Sequence, residues 1–202
     1  MKLFFSPGAC SLAPHIVLRE AGLAFTLEKV DLAKHVTAGG ADYYGVTQKG
    51  QVPLLQLDDG ALLSEGPVIT QYVADLAGRK DLAPAAGTLP RYRVMEWQNY
   101  ITSELHKSFA PLFSPDFDDT AKGQHKALLR KKFEWVNSRL SDTPFLTGDG
   151  FTAADAYLFT VANWARHVAL DLADLSHLQR FLARVAERPA VREAMKAEGL
   201  LA

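Results

Sequence analysis

The sequence predicts two parts: an α/β amino-terminal domain of order β-α-β-α-β-β-α, then an all-α carboxyl-terminal domain. Three observations carry this. Up to residue 77, short apolar runs bounded by turn residues alternate with helical patterns. Residues 77–90 then hold two prolines and two glycines and read as a linker, placed at 78–87. Beyond it, every periodic segment has helical spacing. The expected boundaries are therefore 1–77, 78–87 and 88–202.

The first strand is Leu3-Phe4-Phe5, stopped by Ser6-Pro7-Gly8. A helix follows, with Leu12, Ile16 and Leu18 on its apolar side. Pro14 is tolerable only in a first turn and Gly22 suits the end, so the helix begins near Cys10 to Ala13. Phe25 to Val30 reads as a second strand, parallel to the first through a right-handed crossover. Residues 31–50 are polar and broken by Gly39-Gly40 and Gly50, and read as a loop with a short helix.

Pro53 opens a strand at Leu54–Leu57, where its missing N–H costs little, and the Val52–Pro53 bond is a candidate for cis. Asp59-Gly60 signals a tight turn to an antiparallel partner at Ala61–Leu63. Pro67 fits the first turn of the next helix, whose expected apolar face is Val68, Ile69, Tyr72, Val73 and Leu76.

In the second part, Val94, Trp97, Ile101 and Leu105 form one stripe of a helix over 91–109. Asn99, Ser103, His106 and Lys107 share another face. Asp118 or Asp119 caps a helix that buries Leu129, Phe133, Val136 and Leu140. Thr152 and Asp155 resemble a capping box before a helix that is apolar nearly all round, the expected central helix. Leu178, Phe181, Leu182 and Val185 mark another helix, and Val191 and Met195 a last one.

The totals exclude several classes. A formal net charge of −1 over 202 residues gives no electrostatic reason for nucleic acid or an anionic membrane surface. One cysteine excludes an internal disulfide framework and fits a reducing cytoplasm. Pro7 and Gly8 break the first apolar run too early for a signal peptide, and no stretch has the length of a membrane span.

Four groups are candidates for chemistry. Cys10 sits where a strand has ended and a helix starts. Free N–H groups and the positive end of the dipole would lower its pKa there, although a lone Cys is also a common core filler. Glu65, just before a helix, either favours the dipole or binds a group bearing both amine and carboxylate. His106 with Asn99 and Ser103 is a solvated face, a pocket or an interface. Thr152 and Asp155 read as a structural cap. The other histidines have no metal-ligand spacing, so no metal is expected.

Five motifs carry a resemblance: SPGACS at 6–11, GQVPLL at 50–55, LLSEGP at 62–67, ITSELHK at 101–107 and FTAADAYLF at 151–159. From Met1 to about Leu200 the chain resembles a cytosolic glutathione transferase, most closely the bacterial beta class. That class carries Cys where others place Tyr or Ser.

The resemblance implies a thioredoxin-like first domain that holds glutathione, an all-helical second domain, and a homodimer. It implies Cys10 against the glutathione sulfur, able to form a mixed disulfide. It places Val52 on the cysteinyl unit, Glu65 and Gly66 on the γ-glutamyl end, and Ala9 and Gln51 along the same site. His106 would point to the sulfur. Asn99, Ser103 and Lys107 would lie at the subunit interface and bind glutathione from one subunit or the other, and Thr152 and Asp155 would match the family's capping module. Phe109, Phe113, Trp164 and His167 would hold an apolar electrophile.

Three departures stand out. His35 replaces the Lys that the class commonly has for the glycine carboxylate, Thr47-Gln48-Lys49 stands where Asn-Pro is expected in relatives, and Gly66 stands where many transferases have Ser. The implied activity is conjugation of the glutathione thiolate to electrophiles, a detoxification reaction. Glutathione-dependent disulfide or peroxide reduction through Cys10, and non-catalytic carriage of apolar ligands, are the alternatives.

Overall fold

The computed structural model describes residues 1–201. It divides into two compact units. One runs from Met1 to Ala83 and takes in the segment from Arg188 onward; the other is Pro84–Glu187.

The first unit is built on a five-stranded mixed sheet of order β3-β2-β1-β4-β5. β1 (Lys2–Phe5) is followed by α1 (Leu12–Glu20) and then β2 (Thr26–Asp31), which pairs parallel to β1 as the crossover requires. β4 (Leu54–Gln56) runs antiparallel to β1, and the turn at Asp59-Gly60 returns the chain as β5 (Leu62–Ser64). α2 (Gly66–Leu76) carries Pro67 in its first turn.

Successive side chains of β1 alternate between the two faces of the sheet. Phe4 joins Val30, Tyr43, Val52 and Leu54 in a buried cluster. The ring of Phe5 lies 6.3 Å from that of His15 in α1.

The segment expected as a loop with a short helix differs. It holds a two-residue strand, β3 (Val36–Thr37), antiparallel to β2, and only one 3-10 turn at Tyr43–Gly45, capped by Asp42. His35 takes φ 51°, outside the helical region, so no helix runs through it, and the short helix of this segment is the 3-10 turn further on. In α2 only Ile69 and Val73 of the expected apolar face are fully buried; Val68 and Leu76 are about half exposed.

The last helix, α8 (Pro189–Ala197), belongs with this unit, where the sequence pattern had put it in the helical domain. Side chains at its end reach α1. Glu198 lies 2.8 Å from His15 Nδ1, both fully buried, and Arg19 Nε–H donates to His15 Nε2 at 2.9 Å. Arg188 forms a two-pronged pair with Glu20. Polarity hid this packing: hydropathy alone does not mark a buried, hydrogen-bonded His–Glu pair as core.

The second unit is helical, with α3 (Leu89–Tyr100), α4 (Lys107–Phe113), α5 (Asp119–Arg139), α6 (Ala153–Ala162) and α7 (Ser176–Ala186). Val94, Trp97, Ile101 and Leu105 are buried as expected, and α6 is buried at every position. Asp118 caps α5, accepting from the Ala121 N–H at 2.7 Å. The helix expected to run unbroken over 91–109 is instead wound as a π-helix from Ile101 to His106. The hydroxyls of Thr102, Ser103 and Ser108 donate to the carbonyls four residues back, and such bonds loosen a helix. From α5, Lys132 Nζ donates to the Glu104 carbonyl at 3.0 Å and pairs with the Glu104 carboxylate at 2.9 Å.

Candidate active site

In the first unit, the loop after β1 closes on itself. Ser11 Oγ donates to the Ser6 carbonyl and accepts from the Ser6 N–H, both at 3.2 Å. Gly8, at φ 70°, donates its N–H to Glu198 Oε2 at 2.9 Å. Cys10 follows, two residues before α1, and is partly buried. Its Sγ donates to the Val52 carbonyl at 3.2 Å. Val52 precedes a cis Pro53.

The Cys10 thiol is not acidic. Burial pushes it up to about 11, the backbone N–H groups of Cys10 and Ser11 pull it down by less, and the charge of Glu65 adds to the rise. This overturns the expectation drawn from its place before a helix. The amides act in the expected direction, but loss of solvent outweighs them, and the bond to Val52 also favours the protonated form.

Glu65 stands at φ 70°, a left-handed conformation that strains a residue with a side chain, immediately before α2. Its carboxylate is 2.6 Å from Lys49 Nζ, which also donates to Ser64 Oγ at 3.0 Å. Gly66 begins α2; a Cβ there would meet Pro53 at an ordinary 3.7 Å. Ala9 packs on the cluster that contains Val52, and Gln51 is exposed with its carbonyl accepting from Tyr43 at 2.9 Å. Ala9, Cys10 and Val52 are thus gathered together, and Gly66 lies beside Pro53.

His35 packs on Tyr44, ring centroids 4.3 Å apart, with Nε2 3.2 Å from the Tyr44 hydroxyl. Its Nδ1 is buried without a hydrogen-bond partner. Gly50 permits this arrangement, because a Cβ there would lie 2.5 Å from the Tyr44 ring. Sequence reasoning missed Tyr44 and the pairing of Lys49. A cation near Glu65 was not legible, because sixteen residues separate them along the chain.

In the second unit, His106 ends the π-helical stretch. Its Nδ1 is 2.6 Å from the Tyr157 hydroxyl of α6, and its ring meets Trp164 edge to face at 4.7 Å. Burial, and to a smaller extent the charge of Lys107, lowers His106 to about 4, so the ring is neutral near pH 7. Phe109, Phe113 and Trp164 form one aromatic group, with centroids 5.5 to 6.2 Å apart. Phe109 is fully buried and Phe113 half exposed. His167 does not join their ring contacts; it is exposed and accepts from Arg166 at 3.4 Å.

Asn99, Ser103 and Lys107 are all exposed. Asp155 is fully buried: it accepts from the N–H and hydroxyl of Thr152, both at 2.8 Å, and from the Leu146 N–H at 2.9 Å. Tyr157 was missed. The signal was available, since a tyrosine in an otherwise apolar buried helix needs a partner for its hydroxyl. Among the described residues, no group of three or more His, Cys, Asp or Glu is placed to hold a metal ion, and no helix is long and apolar enough to cross a membrane.

A five-stranded mixed sheet unit carrying a thiol just before α1, in a chain that continues as an all-helical unit, defines the class as a thioredoxin-like protein with a helical extension. Comparison with known proteins sharpens this. Residues 8–76 match the model of the glutathione S-transferase N-terminal domain and residues 100–189 that of the C-terminal domain. The chain is 52% identical over 99% of its length to the whole of glutathione S-transferase GstA of Escherichia coli O157:H7. It is 37% identical, over 99% of its length, to the whole of glutathione S-transferase GST-4.5 of Xanthomonas campestris.

Among solved structures, BphK, a bacterial GST caught in a ternary complex, superimposes with a TM-score of 0.96 at 52% identity, covering 99% of this chain and 100% of that one. The beta class enzyme of Sphingomonas chungbukensis gives 0.96 at 44%, covering both chains completely. The chain belongs to the glutathione S-transferase family. Within it, the chain falls with the bacterial beta class.

Proposed function

We propose that this protein binds glutathione in its first unit and transfers the glutathione thiolate to an apolar electrophile. The observation that carries the reading is kinship over the whole length with named glutathione S-transferases, 52% identical in one case. The solved structure of a sphingomonad relative, 43% identical, is a complex with glutathione.

In this reading the cysteinyl unit of glutathione pairs with the Val52 backbone, and Ala9 and Gln51 line the site. Glu65 and the Gly66 N–H take the γ-glutamyl end, and His35 takes the glycine carboxylate. Cys10 lies against the sulfur as a neutral thiol whose single hydrogen is given to the Val52 carbonyl. His106, also neutral, donates to the sulfur and stabilises the thiolate as it forms. Phe109, Phe113 and Trp164 offer an apolar wall to the electrophile; exposed His167 is the weakest member of that set.

The protein works as a cytoplasmic homodimer, with Asn99, Ser103 and Lys107 at the subunit interface. Exposed apolar side chains support association: Val68 and Leu76 on α2, and Leu89, Tyr92 and Met95 on α3. The raised thiol of Cys10 favours transfer over thiol–disulfide exchange, which runs best when the attacking thiol titrates near ambient pH.

The test is conversion of 1-chloro-2,4-dinitrobenzene, and of a panel of other electrophiles, by purified protein with glutathione. Saturable turnover is expected for at least one of them. Uncatalysed rates throughout, with glutathione bound, would favour a carrier.

A further inference from the structure

Resting on the proposed function, in which His35 serves the glycine carboxylate, we infer that Tyr44 is the residue that touches that carboxylate. Its hydroxyl stands between the ligand and the imidazole. It thereby sets a preference for a thiol peptide with a free terminal carboxylate.

Neither ring nitrogen of His35 is open to a ligand. Each offers one position, a hydrogen or a lone pair. That of Nε2 faces the Tyr44 hydroxyl at 3.2 Å. Nδ1 is buried without a partner and lies against Gly50, where a Cβ would sit 3.1 Å from it. The imidazole is thus closed by the chain on one side and by Tyr44 on the other. Tyr44 is half exposed, and its hydroxyl has His35 as its hydrogen-bond partner. A phenol oxygen accepts from one group while its hydrogen goes to another. With Nε2–H donating to Tyr44, the phenol hydrogen meets an incoming carboxylate.

The backbone fixes where that carboxylate arrives. Gly66 lies beside Pro53, a Cβ there being 3.7 Å from the Pro53 ring. The γ-glutamyl end of a peptide paired on Val52 therefore lies on the Pro53 side. Its glycine end runs the other way, past Gln51 toward Gly50, and two residues of extended chain span at most about 7 Å. Gly50 is where the chain meets both rings: a Cβ there would lie 2.5 Å from Tyr44. Asp42 caps the 3-10 turn and accepts the Tyr44 N–H at 3.0 Å, which fixes the backbone that carries the phenol. The flanking lysines face carboxylates instead, Lys34 with Asp31 at 3.8 Å and Lys49 with Glu65 at 2.6 Å.

The experiment is calorimetric titration of glutathione, and of glutathione amide, into the wild type and Tyr44→Phe. The amide replaces the glycine carboxylate by a neutral carboxamide. The wild type is expected to bind it about tenfold more weakly, the scale of one hydrogen bond to a charged group. Tyr44→Phe keeps the ring on His35 and loses the hydroxyl. Its affinity for glutathione is expected to fall about five- to tenfold, and its preference for acid over amide to shrink to about twofold. In the wild type, nuclear Overhauser contacts between the Tyr44 ring and the glycine methylene of bound glutathione read the same placement without a variant.

Equal binding of acid and amide by the wild type overturns the assignment. So does a Tyr44→Phe protein that keeps the full preference, and so does a wild-type complex without those Overhauser contacts. In each of these cases the proposed function stands. If the wild type binds no glutathione at all, the proposed function falls and takes the assignment with it.

Discussion

The carboxylate of Glu65 is engaged by Lys49, Nζ to Oε1 at 2.6 Å. A ligand ammonium arriving at Glu65 must therefore displace a cation already there. Both side chains are more than half exposed, so the pair is worth at most about 1 kcal/mol and yields readily.

From this pair follows the first prediction. Glu65→Gln should weaken glutathione binding about tenfold or more, the cost of a charge-assisted hydrogen bond. Lys49→Met, which removes only the competitor, should strengthen binding by less than about fivefold. Isothermal titration calorimetry reads both. Unchanged affinity in Glu65→Gln would take the γ-glutamyl end away from Glu65.

Cys10 gives a pH prediction. Its thiol rises from 9.0 to about 11 on folding, so about one part in ten thousand is thiolate at pH 7. Alkylation by iodoacetamide should be slow at neutral pH and accelerate toward pH 11. The folded state holds this proton more tightly than the unfolded chain. Stability therefore stays level below about pH 9 and falls by about 2–3 kcal/mol as pH climbs to about 11. Cys10→Ala should flatten that limb of a urea-unfolding series. A thiol that titrates below 8 contradicts the prediction.

Asp155 gives a stability prediction. Asp155→Ala strips the acceptor from the Thr152 and Leu146 N–H groups, all in fully buried surroundings. The expected cost is about 3 kcal/mol, the sum of a lost cap and an unpaired buried donor. Urea denaturation measures it, and a loss under about 1 kcal/mol would mean that the loop before α6 finds another acceptor.

Much of the first unit was legible because its signals are local. The Leu3–Phe5 run, the Pro67 start and the Asp59-Gly60 turn each announce themselves within a few residues. What the sequence hid depends on distant partners. Within the π-helical stretch, Glu104 is held by Lys132, 28 residues on. Cys10 looks acidic from its neighbours in the chain, and burial, with the charge of Glu65, reverses that. His106 was visible as a polar interruption, while the Tyr157 hydroxyl 2.6 Å from its ring lies 51 residues away in the chain.

Gly8 is fastened by a carboxylate 190 positions downstream. The turn presenting the sole sulfhydryl is therefore finished only once synthesis has passed residue 198. During synthesis the same carboxylate reaches His15 only after that point, so both ends of the chain complete the surroundings of α1 together.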